Sequence, residues 1–331
     1  MLKFYSKDIL LQHTNLREGE LKFGEVAGTV SNWEALENAP QKYVLLGIPE
    51  DIGVRANKGI AGTSEAWIVG LKAFCNIQHT PLCKADSVLV LGAIDCEAEM
   101  DEAEKLNPND PHYLFNLGLL VEQIDIIVSK VVEKIVAAGK IPIVIGGGHN
   151  NSYGNLKGTA SALKKALNCI NFDAHSDYRQ LEHRHSGNGF SYAQKDGFLE
   201  NYFIFGLHRN YTSQNVYNTL AETTTCAFST FEEISVEKTF PFSEALKKAE
   251  QHCCQQPFGV EIDLDTVANM GSSAMTPSGF TVEECRQFTR YFSAKQNCSY
   301  IHICEGAPNR ELFAGQVGKA IAYLVSDIIS E

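Results

Sequence analysis

Cys169-Ile170-Asn171-Phe172-Asp173-Ala174-His175-Ser176-Asp177 is a short apolar run that passes directly into three potential metal ligands. Side chains at i, i+2 and i+4 of an extended segment leave the same face. Asp173, His175 and Asp177 can therefore converge on one small volume at a strand end. Two further stretches are built alike. Phe258-Gly259-Val260-Glu261-Ile262-Asp263-Leu264-Asp265 ends in two carboxylates, and Ile143-Val144-Ile145-Gly146-Gly147-Gly148-His149 ends in an imidazole. Six oxygen and nitrogen donors on three strand ends suggest a dinuclear metal centre.

Other short apolar runs surround these three: Tyr43 to Ile48, Ser87 to Gly92, Tyr202 to Phe205 and Tyr300 to Cys304. Between most of them the spacing predicts helices. The longest runs from about His112 to Ala138, with Leu120, Ile124, Ile127, Val128, Val131 and Ile135 at three- and four-residue spacing and Gly139 as its stop. Others are expected at about 152 to 166, 243 to 255, 281 to 296 and 314 to 329. Strands that alternate with helices and read as nearly continuous apolar runs imply a three-layer α/β/α fold with a mainly parallel central sheet. Such sheets bind ligands at the carboxyl ends of their strands, where all six donors sit.

Pro49 stops the first run, and a glycine-punctuated loop from Glu50 to Gly62 leads to a helix with Thr63 or Ser64 as its N-cap. Residues 1–40 show no clear period and are expected to pack as an extension on the edge of one domain spanning 1–331. The acidic run Asp95, Glu97, Glu99, Asp101, Glu102 and Glu104 reads as a solvated loop.

The 331 residues are 44% hydrophobic and 21% charged, ordinary for a folded globular chain. A net charge of −12 argues against a nucleic-acid partner, which usually requires a basic face. No run approaches the 18 apolar residues of a membrane span, and the N-terminus has no apolar signal-peptide core. Ten cysteines without a CxxC pair read as reduced thiols of a cytoplasmic protein.

Four carboxylates and two imidazoles without sulfur favour Mn²⁺ over structural Zn²⁺ and over an all-oxygen Ca²⁺ cage. Two such ions roughly 3.5–4 Å apart can share a water and lower its pKa, which points to hydrolysis. Asp173 to Asp177 lacks the Gly and distal Glu of an EF-hand. Gly146-Gly147-Gly148 lacks the Lys-Ser/Thr of a phosphate loop.

Together, Gly146-Gly147-Gly148-His149, Asp173-Ala174-His175-Ser176-Asp177 and Asp263-Leu264-Asp265 resemble the three signatures of the arginase/agmatinase/formimidoylglutamase group of ureohydrolases, and the likeness extends from about residue 43 to 325. The resemblance implies that His149, Asp173, Asp177 and Asp263 hold one Mn²⁺ and that Asp173, His175, Asp263 and Asp265 hold the other. It also implies a substrate-facing glutamate after a late strand, matched by Glu305 in Ile303-Cys304-Glu305-Gly306-Ala307-Pro308.

The surrounding residues are most similar to formimidoylglutamases. Gly148 stands where arginases and agmatinases usually have aspartate, and Asp265 is followed by Thr266-Val267-Ala268-Asn269 rather than by a second Asp and Pro. In Ser186-Gly187-Asn188-Gly189-Phe190 an aromatic replaces the proton-shuttle histidine of arginases, although Asn188 is arginase-like. His183 and His185 lie close by in sequence as replacement acid or base groups. Gly53-Val54-Arg55-Ala56-Asn57-Lys58-Gly59 resembles a formimidoylglutamase loop, and Arg179 and Arg209 each follow a strand. Guanidinium forks suit the two carboxylates of N-formimidoyl-glutamate.

The reading is therefore a binuclear-manganese hydrolase of that linear amidine, with Asp177, Glu305 and His185 as catalytic groups and Arg55, Asn57, Arg179, Asn188 and Arg209 as substrate contacts. A guanidine hydrolase releasing urea and a non-catalytic relative are the alternatives. The resemblance further implies a homo-oligomer, trimer or hexamer, working on a small molecule rather than on nucleic acid or membrane.

Overall fold

The computed structural model describes residues 1–330. Nine strands form one sheet: β1 (Leu2–Phe4), β2 (Tyr43–Gly47), β3 (Val88–Ile94), β4 (Ile141–Ile145), β5 (Leu167–Phe172), β6 (Leu199–Leu207), β7 (Cys226–Thr230), β8 (Phe258–Asp263) and β9 (Cys298–Cys304), in the order β1-β3-β2-β4-β9-β8-β5-β6-β7. Every pairing is parallel except β1 with β3. Strands β2, β3, β5 and β8 are buried along their whole length. That burial explains why they read as continuous apolar runs rather than as alternating ones.

The helices that cover the sheet and flank the site are α1 (Ile52–Ala56), α2 (Ala66–Cys75), α3 (Glu97–Lys105), α4 (Tyr113–Ala137), α5 (Asn151–Leu163), α6 (Phe242–Cys253), α7 (Val282–Ser293) and α8 (Gln316–Ile329). Apolar side chains of α2, α6, α7 and α8 close one face of the sheet. On the other face α4 lays Leu117, Leu120, Val121, Ile124, Val128, Val131, Val132 and Ile135 over Val44, Leu46, Leu89 and Leu91. Helix α7 is capped by Thr281: the hydroxyl accepts from Glu284 N at 3.1 Å and the Glu284 carboxylate accepts from Thr281 N at 2.8 Å.

Beneath the carboxyl end of β5 and β6 lies an aromatic cluster. Phe172 packs on Phe280 and Phe288 at 5.0 and 4.8 Å between ring centroids, and Phe205 on the same rings at 5.8 and 5.2 Å. Gly206, at φ +97°, lets Phe280 approach: a Cβ there would stand 2.4 Å from the ring.

The sequence expectation differs from the structure in several places, among them the start of α2, where Glu65 rather than Thr63 or Ser64 stands at the N-cap and makes no side-chain cap bond. The acidic stretch is not a loop but helix α3, held by Met100 and Ala103 at three-residue spacing and started by Glu97 and Glu99, whose charges suit a helix N-terminus. The segment after Pro49 contains α1, a single buried turn and a half. The N-terminal stretch supplies β1, an antiparallel edge strand of three residues, too short to show a period. Strand β7 went unpredicted because its first three residues are partly or fully exposed at the opposite edge.

Candidate metal centre

Strands β4, β9, β8 and β5 are neighbours at the middle of the sheet, so their carboxyl ends deliver the donor-bearing segments to one place. After β4 the chain turns through Gly146 and Gly147, both left-handed at φ +90° and +73°. A Cβ on Gly147 would stand 2.3 Å from Asn151 Nδ2 and 2.8 Å from Glu50 Oε1, so only glycine fits. The buried Glu50 carboxylate ties this turn down, accepting from Gly148 N at 3.1 Å, Asn151 Nδ2 at 2.6 Å and Asn150 Nδ2 at 3.2 Å. It also accepts from Ile52 N at 2.7 Å, which joins the turn to α1.

His149, fully buried, points Nδ1 at three carboxylates: Asp177 Oδ2 at 2.8 Å, Asp263 Oδ2 at 3.1 Å and Asp173 Oδ2 at 3.3 Å. These four offer donor atoms close enough to share an ion, and His175, Asp263 and Asp265 form a second such group. Asp263 belongs to both. Asp173, expected in both, groups only with the first set, although its Oδ1 lies 3.6 Å from His175 Nδ1. Hydrogen bonds fix the free lone pairs: Asp173 accepts from His175 N at 2.7 Å and Asn171 Nδ2 at 2.8 Å, Asp263 from Asp265 N at 2.7 Å, and Asp265 from Ala274 N at 2.8 Å.

Burial and like charge disfavour ionisation of three of the four carboxylates, whereas Asp173, although buried too, is held below the usual carboxylate range by its hydrogen bonds to His149 and His175. Burial, then Asp173 and Asp265, push Asp263 well above the usual carboxylate range. Asp177 and Asp265 also rise, chiefly through burial. Burial opposes the charge on His175, but its hydrogen bond to Asp173 and the field of the neighbouring carboxylates carry it up to about 10. The ionised carboxylates are therefore disfavoured here for want of positive charge, which bound cations would supply. The donor set, rich in oxygen and free of sulfur, fits a pair of hard divalent cations.

These groups open into a cavity of about 440 Å³ whose wall includes His175, Asp177, Asp263, Asp265, Arg179 and Glu305. A neighbouring hollow of about 530 Å³ shares Arg179 but contains none of the donors. Glu305 follows β9 at φ +61°, and Asp177 adopts φ +43°, both unusual for residues with a Cβ and consistent with backbone strain held at a working site. One Glu305 oxygen accepts from His149 N at 2.7 Å, while Oε2 is buried without a partner. Burial, then Asp265, raises the Glu305 carboxyl to about 8.

The expected substrate contacts divide. Asn57 and Arg179 both line the cavity and are joined by a 2.7 Å bond from Arg179 Nη1 to Asn57 Oδ1. Arg55 does not reach it, because Asp51 at 3.2 Å and Glu104 engage its guanidinium. Arg209 is likewise drawn outward, into a fork with Glu237. Asn188 is buried behind the wall, where its amide oxygen accepts from the buried Arg184 at 2.6 Å. His185, expected among the catalytic groups, lies off the wall: its Nδ1 accepts from Gly187 N at 3.0 Å and its Nε2 is 3.0 Å from Glu182. Burial lowers His185 to about 4, so it is neutral at physiological pH. Phe190 packs edge-on against His149 at 5.2 Å and stacks on Tyr202 at 4.4 Å.

Three groups went unsingled in the sequence. Glu50 stands directly after Pro49 and carries no motif. Ser273, whose hydroxyl is 3.3 Å from Asp265, comes from an irregular segment. Glu261 alone had a signal, since it precedes Asp263 and Asp265 at the same alternating spacing on β8.

A profile described as the arginase family matches residues 41–330. A formimidoylglutamase from Geobacillus sp. (strain WCH70) is 27% identical over 277 residues, which is 82% of this chain and 78% of the relative. Among solved structures, formimidoylglutamase from Bacillus subtilis superposes with a TM-score of 0.72 at 18% identity, covering 96% of this chain and 93% of that one. Trypanosoma cruzi formiminoglutamase with Mn²⁺ gives 0.71 at 16% identity, covering 93% and 97%. At these identities the structural likeness speaks for the fold.

Proposed function

The chain belongs to the arginase family, and from that premise we propose that it hydrolyses the formimidoyl C–N bond of N-formimidoyl-L-glutamate to give glutamate and formamide. The carrying observation is the convergence of His149, Asp173, His175, Asp177, Asp263 and Asp265, four of which line a cavity that also presents Glu305 and Arg179, with His149 and Asp173 buried behind them. The activity of the curated relatives supports the choice of substrate, as do Gly148 and Phe190.

Mn²⁺ is the proposed ion, two per chain, with His149, Asp173, Asp177 and Asp263 as one ligand set and His175, Asp263 and Asp265 as the other. When bound, such a pair lowers the pKa of a shared water toward neutrality and so supplies the nucleophile. With the ions in place, Asp177 would orient that water and take up one of its protons. The partnerless Oε2 of Glu305 accepts hydrogens from the amidine nitrogens, and the Arg179 fork receives a substrate carboxylate. In the reaction the water oxygen would join the formimidoyl carbon, the bond to the glutamate nitrogen would break, and both water hydrogens, one of them by way of Asp177, would end on the departing amine, which leaves as the ammonium.

One guanidinium, rather than three, lines the cavity. That favours a second reading, a guanidine hydrolase acting on a monocarboxylate and releasing urea. Incubating the manganese-loaded protein with N-formimidoyl-glutamate, arginine, agmatine and guanidino acids separates the two. Formamide from the first is expected; urea from a guanidine compound without formamide overturns the assignment. Assembly into a homo-oligomer, supported by family resemblance, is part of the same proposal and is measured by sedimentation.

A further inference from the structure

We propose that Glu261 is the positioning residue of the His149 metal site: its carboxylate receives the Nε2 hydrogen of His149 and thereby keeps Nδ1 bare and aimed at Asp173, Asp177 and Asp263. The inference rests on the metal reading given above. It adds to the six donors a residue that touches no ion.

An imidazole binds a metal through one nitrogen when its hydrogen resides on the other, and the partner of that hydrogen sets the tautomer and the ring orientation. In His149 the two nitrogens face different surroundings. Nδ1 meets three carboxylate oxygens within 3.3 Å, whereas Nε2 points down into the sheet. There it is fully buried and makes no aligned hydrogen bond, and the one carboxylate oxygen within 4 Å of it is Glu261 Oε2, at 3.3 Å. A buried N–H without an acceptor is costly. Glu261 is the acceptor in place.

Glu261 is itself held. Tyr300 donates to its Oε1 at 2.8 Å, and His302 Nδ1 lies 2.6 Å from its Oε2. The other His302 nitrogen donates to Gly146 O at 3.2 Å, at the start of the turn that carries His149. Strands β8 and β9 are paired with Glu261 opposite His302, so the register of the sheet fixes this layer. The alternation along β8 puts Glu261 on the same side as Asp263, one step below it. Phe190 on the ring's flank leaves His149 little freedom to turn away. Sulfur from Cys304 completes the group around Nε2, but His302 has one nitrogen on the Gly146 carbonyl and the other on Glu261, and Tyr300 occupies the second Glu261 oxygen, so this layer is read as a bonded network rather than a third ion site.

The test is Mn²⁺ titration of metal-free protein, wild type and the variants Glu261→Ala and Glu261→Gln, with free Mn²⁺ counted by electron paramagnetic resonance. Wild type is expected to take two ions. In Glu261→Ala the site containing His149 should weaken roughly 10- to 100-fold, while the site of His175 and Asp265 keeps its affinity, so subsaturating manganese fills one site instead of two. Glu261→Gln retains an oxygen acceptor, should lose less than the alanine variant, and carries the test if Glu261→Ala does not fold. Wild-type affinity at both sites in either folded variant overturns the inference, as does an equal loss at both sites, which a merely structural role would produce. Wild type that takes no manganese overturns the metal reading itself.

Discussion

Loading manganese into the metal-free protein should expel protons, and the affinity should climb with pH. In the empty site His175 is held at about 10, its burial outweighed by Asp173 and the surrounding carboxylates. An imidazole must be neutral to bind a metal. At pH 7 that leaves a gap of about three pH units, or ~4 kcal/mol at 1.36 kcal/mol per unit. The ring keeps 29% of its side-chain surface exposed, so solvent screening makes this an upper figure. Asp263 is also raised, by burial and then by Asp173 and Asp265, and cations beside it would favour its charged form. Glu305, adjacent at about 8, should ionise more readily once cations stand beside it. His175 is protonated without metal and neutral with it, and Glu305 titrates at the upper end of this range, so the logarithm of the binding constant should rise by about one to two per pH unit between pH 6 and 8. Calorimetric titration in two buffers of different ionisation enthalpy counts the protons directly. Equal heats in both buffers, with an affinity flat across that range, would refute the reasoning. The same shifts govern the metal-free fold. Glu305 titrates near 8 when folded and near ~4.3 when unfolded, so its contribution to stability is complete at low pH and is lost as pH rises through 8.

Asp263→Asn should leave the melting temperature nearly unchanged and remove both manganese binding and turnover, because the residue belongs to both ligand groups; retained turnover would show that it is not shared. Arg179→Ala should raise KM about 10-fold with little change in kcat, as expected for loss of a charge-assisted contact worth ~1.5 kcal/mol, and steady-state kinetics on N-formimidoyl-glutamate would measure it. Gly206→Ala must displace Phe280 and adopt a left-handed backbone, at a cost of about 2–3 kcal/mol; urea unfolding with an unchanged midpoint would contradict that packing.

What the sequence disclosed depended on how local each signal was. The six donors lie two residues apart within their strands or directly after a glycine turn, so the spacing of a single segment located them. The sheet was legible because its central strands are buried on both faces and carry no polar alternation. Arg55, Arg209 and His185 were not legible in the same way, because their placement is decided by partners elsewhere: Glu104 and Glu237 lie 49 and 28 residues away from the arginines they hold. Three of the expected groups are arginines, and in a chain with 40 acidic residues a strand-end guanidinium has many competing partners. Helix α3 escaped for a related reason, since its apolar anchors are few and stand among carboxylates.

The antiparallel strand β1 has a practical meaning for anyone handling this protein. Its three residues cover Gly92–Ile94 on the outer rim of β3, a strand wholly buried along its seven residues, while Gly28 bonds to Val88 and Val90 further down the same rim. A bare rim of that kind is a template for joining another chain's backbone. Trimming residues 1–5, or pulling them aside with a bulky N-terminal tag, would convert a finished border into an adhesive one, and the loss would be seen first as clumping during purification while the distant catalytic floor was still intact.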